Sequence, residues 1–179
     1  HHMAALESLH RDHELPIRVY AMLSARDEAA CRRWLKKGVF PGAKSPASRL
    51  AVRSVKAYYD AALGSRGARL LHDYSDTPGH RGTSGDEYGF DESLVAEMMR
   101  AGFQVGIHAI GDAGNRETLD FLERVYAEDP SVRAHRHRIE HAQVVHPDDF
   151  ARFAELDVIA SMEPPHAVED MAWAEDRLG

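Results

Sequence analysis

Four places along this chain join a nitrogen base to a carboxylate at or just beyond the end of a run of strand-forming residues: Lys56 with Asp60, His108 with Asp112, Glu140 with His141, and His166 with Asp170. Neutral imidazole is the commonest metal ligand, and carboxylates ligate metals or carry protons, so these types suit metal-assisted or acid–base chemistry. Taken singly, each has a plainer reading. A lone strand-end histidine is more often a hydrogen-bonded structural residue than a ligand, and Lys56 by composition is a solvated lysine. Asp112, just after Gly111, is read as the N-cap of the following helix, the alternative being an acceptor that orients His108. In a regular pleat Glu140 and His141 point to opposite faces. His141 is therefore taken as the one that faces the site, while an ion pair with Arg136 or Arg138 explains Glu140 equally well.

Other candidates are weaker. Gly64-Ser65-Arg66-Gly67 has the composition of a phosphate loop but lacks its Gly-Lys-Ser/Thr ending, which leaves Arg66 as a candidate holder of a substrate carboxylate. His72, His80, His135, His137 and His146 fall in loops or at helix edges and are expected to be exposed. Trp34 and Trp173 are expected to pack.

The elements that must position these groups alternate. Ile17–Leu23 reads as a buried strand, Ala25–Lys37 as a helix with acids early and bases late, and Pro41–Ser48 as loop. Leu50–Asp60 is a second strand, followed by a long glycine-rich loop, 61–88, of a length that is usually functional or mobile. Helix Asp91–Ala101, strand Phe103–Ile110, helix Asn115–Ala127, strand His137–Gln143, a helix from Pro147 to Leu156 and strand Val158–Met162 complete the order. About five strands with four intervening helical segments imply a parallel α/β architecture, whose sites gather at the carboxyl ends of the strands in both open sheets and closed barrels.

Composition narrows the partners. The chain has 179 residues, the size of one domain but short of the roughly 250 of a full eight-fold barrel. With 22 basic against 29 acidic residues the net charge is -7, which argues against nucleic acid, and no apolar run is long enough to span a bilayer. One cysteine, Cys31, leaves no intrachain disulfide, so a cytoplasmic location is the default. His1-His2-Met3 reads as a tag remnant ahead of a single domain, 4–179.

Four ordered segments carry a resemblance: Val55–Ala68 with its Leu63-Gly64-Ser65-Arg66-Gly67, Gly106-Ile107-His108-Ala109-Ile110-Gly111-Asp112, Arg138-Ile139-Glu140-His141-Ala142-Gln143, and Ile159-Ala160-Ser161-Met162-Glu163-Pro164-Pro165-His166. Together they resemble amidohydrolase family 3 of the metal-dependent amidohydrolase superfamily, the branch that includes N-substituted formamide deformylases. The resemblance implies strands three to seven of a (β/α)8 barrel. It implies His108 and His141 as metal ligands ending strands five and six, Lys56 as a carboxylated lysine bridging two metals, and His166 beside a small-molecule substrate. One or two divalent ions, zinc by ligand type, would bring a water's pKa to about 7 for attack on an amide, formamide or imine carbon.

Two family features have no match. The His-x-His formed by His135, Arg136 and His137 precedes the sixth strand rather than belonging to the first, and no eighth-strand aspartate is found, so the catalytic acid–base is unassigned and the isolated chain is expected to be inactive. Asp60-Ala61-Ala62 also departs from the family's Asp-Gly-Ser. The competing readings are a non-enzymatic α/β assembly or binding domain and a histidine-rich metal-sequestering module. A half-open barrel leaves two strand edges unpaired, which implies a homo-oligomer.

Overall fold

The computed structural model describes residues 2–41 and 48–179, so most of the loop expected at Pro41–Ser48 lies outside the described residues. Five strands, β1 (Val19–Ser24), β2 (Leu50–Tyr58), β3 (Gln104–Ala109), β4 (Arg138–His141) and β5 (Ile159–Met162), form one parallel sheet in strictly sequential order. That order separates the two architectures the sequence left open. With every crossover of one hand and no reversal of strand order, the connecting segments all fall on one face, which is the winding of a barrel rather than of a doubly wound sheet. The fold is α/β, a partial (β/α)8-type barrel.

The helices form where their caps and apolar spacing dictate. In α2 (Glu28–Lys37) the Asp27 side chain accepts from Ala30 N, and in α4 (Glu92–Arg100) Asp91 accepts from Leu94 N. Before them, α1 (His2–Arg11) takes in the expected tag residues His2 and Met3, with Met3 packed against the core. Between α2 and α4, a capping box on Ser84 and Glu87 starts the short α3 (Gly85–Tyr88). The remaining helices are α5 (Asp112–Glu128), α6 (Phe150–Glu155), α7 (His166–Glu169) and α8 (Ala174–Leu178). None is long and apolar enough to cross a membrane.

Strand alternation divides the sheet into two faces. One carries Leu23, Val55, Ala57, Val105, Ile107, Ala109 and Ile139, each at most 2% exposed in the core. The other carries Lys56, Tyr58, His108, Arg138 and Glu140, brought level by the register Lys56↔Gly106↔Arg138 and Tyr58↔His108↔Glu140. The face is closely filled at Gly106, where an added Cβ would displace the side-chain ends of Glu140 and Met22, the latter from 2.9 Å. The 61–88 segment is a packed layer over the strand ends: Leu63, Ala68, Leu70 and Tyr74 bury against Ile110.

One expectation is overturned in this core. His137 has no exposed surface, although it was expected to lie open to solvent; of that group only His72 is exposed, with His80, His135 and His146 half-buried. Its Nδ1 accepts the Val105 N–H at 3.0 Å and its Nε2 lies 2.9 Å from the Val132 carbonyl, so the two contacts select the neutral Nε2–H tautomer and tie β4 to β3. Burial, opposed by the Val132 carbonyl, pushes its pKa down to about 4. The unfolded chain, with an ordinary histidine near pH 6.5, binds the proton first. The neutral ring's contribution to stability is therefore whole above about pH 6.5 and declines as pH falls toward 4, by about 3 kcal/mol in all. We expect the stability difference between wild type and His137→Gln, measured by urea denaturation, to shrink by about that amount between pH 7 and pH 4.

Candidate functional site

Beyond the end of β2 the chain buries Asp60 completely. Its Oδ1 accepts the Ile110 N–H, and its Oδ2 accepts those of Arg69 and Gly111, all at 2.9 Å. Three segments thus meet on one carboxylate: the end of β2, the 61–88 layer and the turn from β3 into α5. Burial raises its pKa to about 6, with the three backbone donors opposing. Its Oδ1 also lies 3.6 Å from His108 Nε2.

Asp112 proves to have neither expected role. Helix α5 begins at Asp112 itself, three residues before the expected Asn115, with Gly111 as a cap that offers no side chain. The Asp112 carboxylate instead accepts the Leu71 N–H at 2.9 Å and so holds the 61–88 layer. The carboxylate facing His108 is Asp60, a residue the sequence reading placed at a strand end without giving it a role.

His108 ends β3 with its Nε2 buried and without a hydrogen-bond partner. Burial first, then the nearby charges of His141 and Lys56, push its pKa down to about 3, so the ring is neutral. His141 ends β4 with a φ of +76°, followed by Ala142 at +44°. The pleat is broken there, and the argument that only one of Glu140 and His141 faces the site fails for that reason: Glu140 stays on the site face and His141 swings to it. The rings of His108 and His141 lie 4.5 Å apart, edge to face. Glu140 does make its expected ion pair, with Arg138 at 2.6 Å.

Lys56 is half-buried on the same face, its Nζ 5.1 Å from the Tyr58 ring centre. Burial lowers its pKa, against the pull of Glu140. His166, in α7, places its ring 5.6 Å from that of His141. Between them stands Glu163, with Oε1 2.8 Å from His141 Nδ1, out of hydrogen-bond alignment, and Oε2 3.5 Å from His166 Nε2. Ligand atoms of His141, Glu163 and His166 lie within 4.8 Å of one another. Glu163 went unremarked in sequence, where its one signal is the three-residue spacing to His166. A cavity of about 280 Å³ opens here, lined by His141, Glu163 and His166 together with Leu63, Met162 and Met171. Arg66 is engaged elsewhere, its guanidinium bidentate on Asp76 at 3.0 and 2.7 Å.

These residues fit a divalent cation. His108 Nε2, His141 Nδ1 and His166 Nδ1 are all buried without hydrogen-bond partners, a costly state for polar atoms unless something engages them. Burial also lowers the pKa of His108 and His141 and so keeps both in the neutral, ligating form.

Comparison with known proteins agrees with this chemistry. The amidohydrolase family matches residues 2–179. Protein LONG AFTER FAR-RED 3 of Arabidopsis thaliana is 38% identical over 125 residues, 70% of this chain and 21% of that protein. The putative amidohydrolase YtcJ of Bacillus subtilis (strain 168) is 31% identical over 129 residues, covering 70% and 23%. Among solved structures, an uncharacterized metal-dependent hydrolase from Pyrococcus furiosus superposes with a TM-score of 0.78 at 30% identity, over 98% of this chain and 34% of that one. Its counterpart from Pyrococcus horikoshii OT3 gives 0.79 at 30% identity, over 99% and 34%. The chain thus spans about a fifth of the length of the curated relatives and about a third of the solved chains.

The Asp60 junction leaves no room beside it. A Cβ at Gly114 would stand 2.5 Å from Asp60 Oδ2, an atom already fixed by two backbone donors. Gly114→Ala is therefore expected to destabilise the chain by about 2 kcal/mol, against the small gain that alanine brings to an open helix position. Thermal denaturation of the wild-type and Gly114→Ala chains side by side reads the difference.

Proposed function

Because this chain belongs to the amidohydrolase family, we propose that it supplies the metal-holding arc of a hydrolase that cleaves a non-peptide carbon–nitrogen bond, an amide or formamide, in a small-molecule substrate. The observation that carries this reading is the pair His108 and His141, on adjacent parallel strands with rings 4.5 Å apart and both kept neutral by burial. Nitrogen donors of this kind suit zinc. One or two ions would be held by His108 and His141 with Lys56. When bound, the metal supplies Lewis acidity, which brings water's pKa to about 7 and polarises the scissile carbonyl.

The chain's own residues do the rest. Lys56, whose pKa burial lowers, can as the free amine add its nitrogen lone pair to the carbon of CO₂ and release a proton to solvent, becoming a carbamate whose oxygens would serve as metal ligands. His166 stands at the cavity, where it can hydrogen-bond a substrate. Asp60 holds His108's strand end in place. The apolar lining from Leu63, Met162 and Met171 suits the substituent of an N-substituted formamide, with the small formyl group toward the histidines.

The test is zinc content together with hydrolysis of N-substituted formamides by the whole protein. Replacing His108 and His141 together by alanine should remove the bound zinc and lower kcat/KM by about a thousandfold, the loss of several kcal/mol of electrostatic stabilisation. Zinc retained by the double variant would overturn the assignment and point to the other histidines.

We also propose that this segment self-associates. Among the described residues β1 and β5 each pair on one side only, and Tyr20 and Met162 on them are 55% and 66% exposed. Light scattering of the 179-residue chain should give the mass of a dimer or more; a monodisperse monomer would refute this.

A further inference from the structure

Strand β5 ends at Met162, and the register His141↔Met162 sets Glu163 just beyond it, beside the end of β4. The chain then turns on Pro164-Pro165, where the His166 N–H donates to the Glu163 carbonyl at 3.0 Å and the two side chains come within 3.5 Å of each other. Two prolines leave that turn few alternatives. From the neighbouring strand the positive φ of His141, +76°, swings its ring to the same spot. Backbone geometry thus gathers three side chains from the ends of β4 and β5 and the start of α7.

No interaction among the three accounts for their meeting. His141 Nδ1 and Glu163 Oε1 are 2.8 Å apart yet out of alignment for a hydrogen bond, and Nδ1 of both His141 and His166 is buried without a partner. Ligand atoms of all three lie within 4.8 Å of one another, and among the described residues no other three of His, Cys, Asp and Glu come so close. Zinc bonds of about 2.1 Å in a tetrahedron set ligand atoms roughly 3.4 Å apart, so modest side-chain rotation closes the set. Glu163 has room to rotate, its side chain being 54% exposed. Two imidazoles and one carboxylate are the donors of zinc sites that keep a fourth position open, whereas calcium and magnesium take oxygen donors. Here that position faces the cavity of about 280 Å³.

We propose that His141, Glu163 and His166 form a cation site of their own for zinc or a similar transition-metal dication, with the fourth position open to an oxygen or nitrogen donor of a small molecule in the cavity. The site shares only His141 with the ion proposed above and does not rest on that ion. A neutral ring has one lone pair to give, so His141 serves one ion at a time, and the two sites are alternatives on one histidine. In this chain the three-ligand set is complete without any residue from elsewhere.

The test titrates Zn²⁺ alone into the metal-free protein in competition with a chromophoric chelator. Glu163→Gln and His166→Ala should each weaken the tightest zinc by more than about a hundredfold, beyond the roughly 10–100-fold cost of losing a residue that merely orients a ligand. His108→Ala should leave that zinc in place. Thermal denaturation of the metal-free variants checks that they fold, and His166→Cys gives a second, positive readout: loaded with Co²⁺ it should show a thiolate-to-cobalt charge-transfer band in the near-ultraviolet that the wild type lacks. Zinc lost in His108→Ala but kept in the other two would overturn this site and leave the His108–His141 reading standing. Zinc lost in all three variants would merge the two sites and overturn a separate one, as would zinc kept in all three, zinc bound by none, or a His166→Cys protein without the band.

Discussion

A carboxylate with no exposed surface is expensive, and Asp60 is stabilised by three backbone N–H groups from parts of the chain that are otherwise independent. Each hydrogen bond to a charged group is worth roughly 1.5–3 kcal/mol, and the penalty for burying such a charge is several kcal/mol, so the terms are of like size. The pKa of about 6 reports that burial has the upper hand. The consequence is cooperative. With any one donor missing, the charge is left short of compensation, so the end of β2, the 61–88 layer and the β3–α5 turn have to be in place together. His108, at the end of β3 and 3.6 Å from the same carboxylate, takes its position from that junction. Asn115 repeats the device one strand further on, donating to the Gly111 and Val144 carbonyls and so joining the ends of β3 and β4.

The sheet supplies the second constraint. A strand whose residues alternate between two faces can build a core and a site at once, provided all the helices stay on one side. Here the sequential strand order ensures that they do. The helix-covered face is aliphatic and close to fully buried, while the opposite face carries Lys56, Tyr58, His108, Arg138 and Glu140 at matching register. Gly106 marks how tightly that polar face is filled, because Glu140 occupies the space its side chain would need.

This explains what could be read from the amino acids and what could not. Strands and longer helices are legible from apolar periodicity and caps, which are local, and His108 and His141 are legible because they end such runs. Asp112 is misread because a carboxylate after glycine at a helix start looks like a cap, whereas its partner, Leu71, is 41 positions away and reached only through the fold. The Glu140–His141 choice fails because it assumes a regular pleat, and no residue type at 141 announces a positive φ. His137 resembles any other histidine in a polar run; only the packing of β4 on β3 removes it from water. Glu163 takes its place through a contact across strands, which residue spacing along the chain cannot show.

Protons and metal ions compete for the same imidazole nitrogens, and the surroundings of His108 and His141 weight that competition. Two rings 4.5 Å apart cannot both be protonated cheaply, and the positive charge of Lys56 adds to the penalty for each. Burial, the largest cause for both, lowers their affinity for a proton. A dication differs from a proton in engaging several donors at once, so it recovers by multiple ligation what desolvation takes away. The carboxylates of Asp60, Glu140 and Glu163 stand around the pair, where their negative charge favours any cation, proton or metal ion, and so opposes the effect of burial on the rings. Because burial is the larger influence, the rings stay neutral across the pH range in which an ordinary exposed histidine would begin to charge, which is the form a metal ion would need.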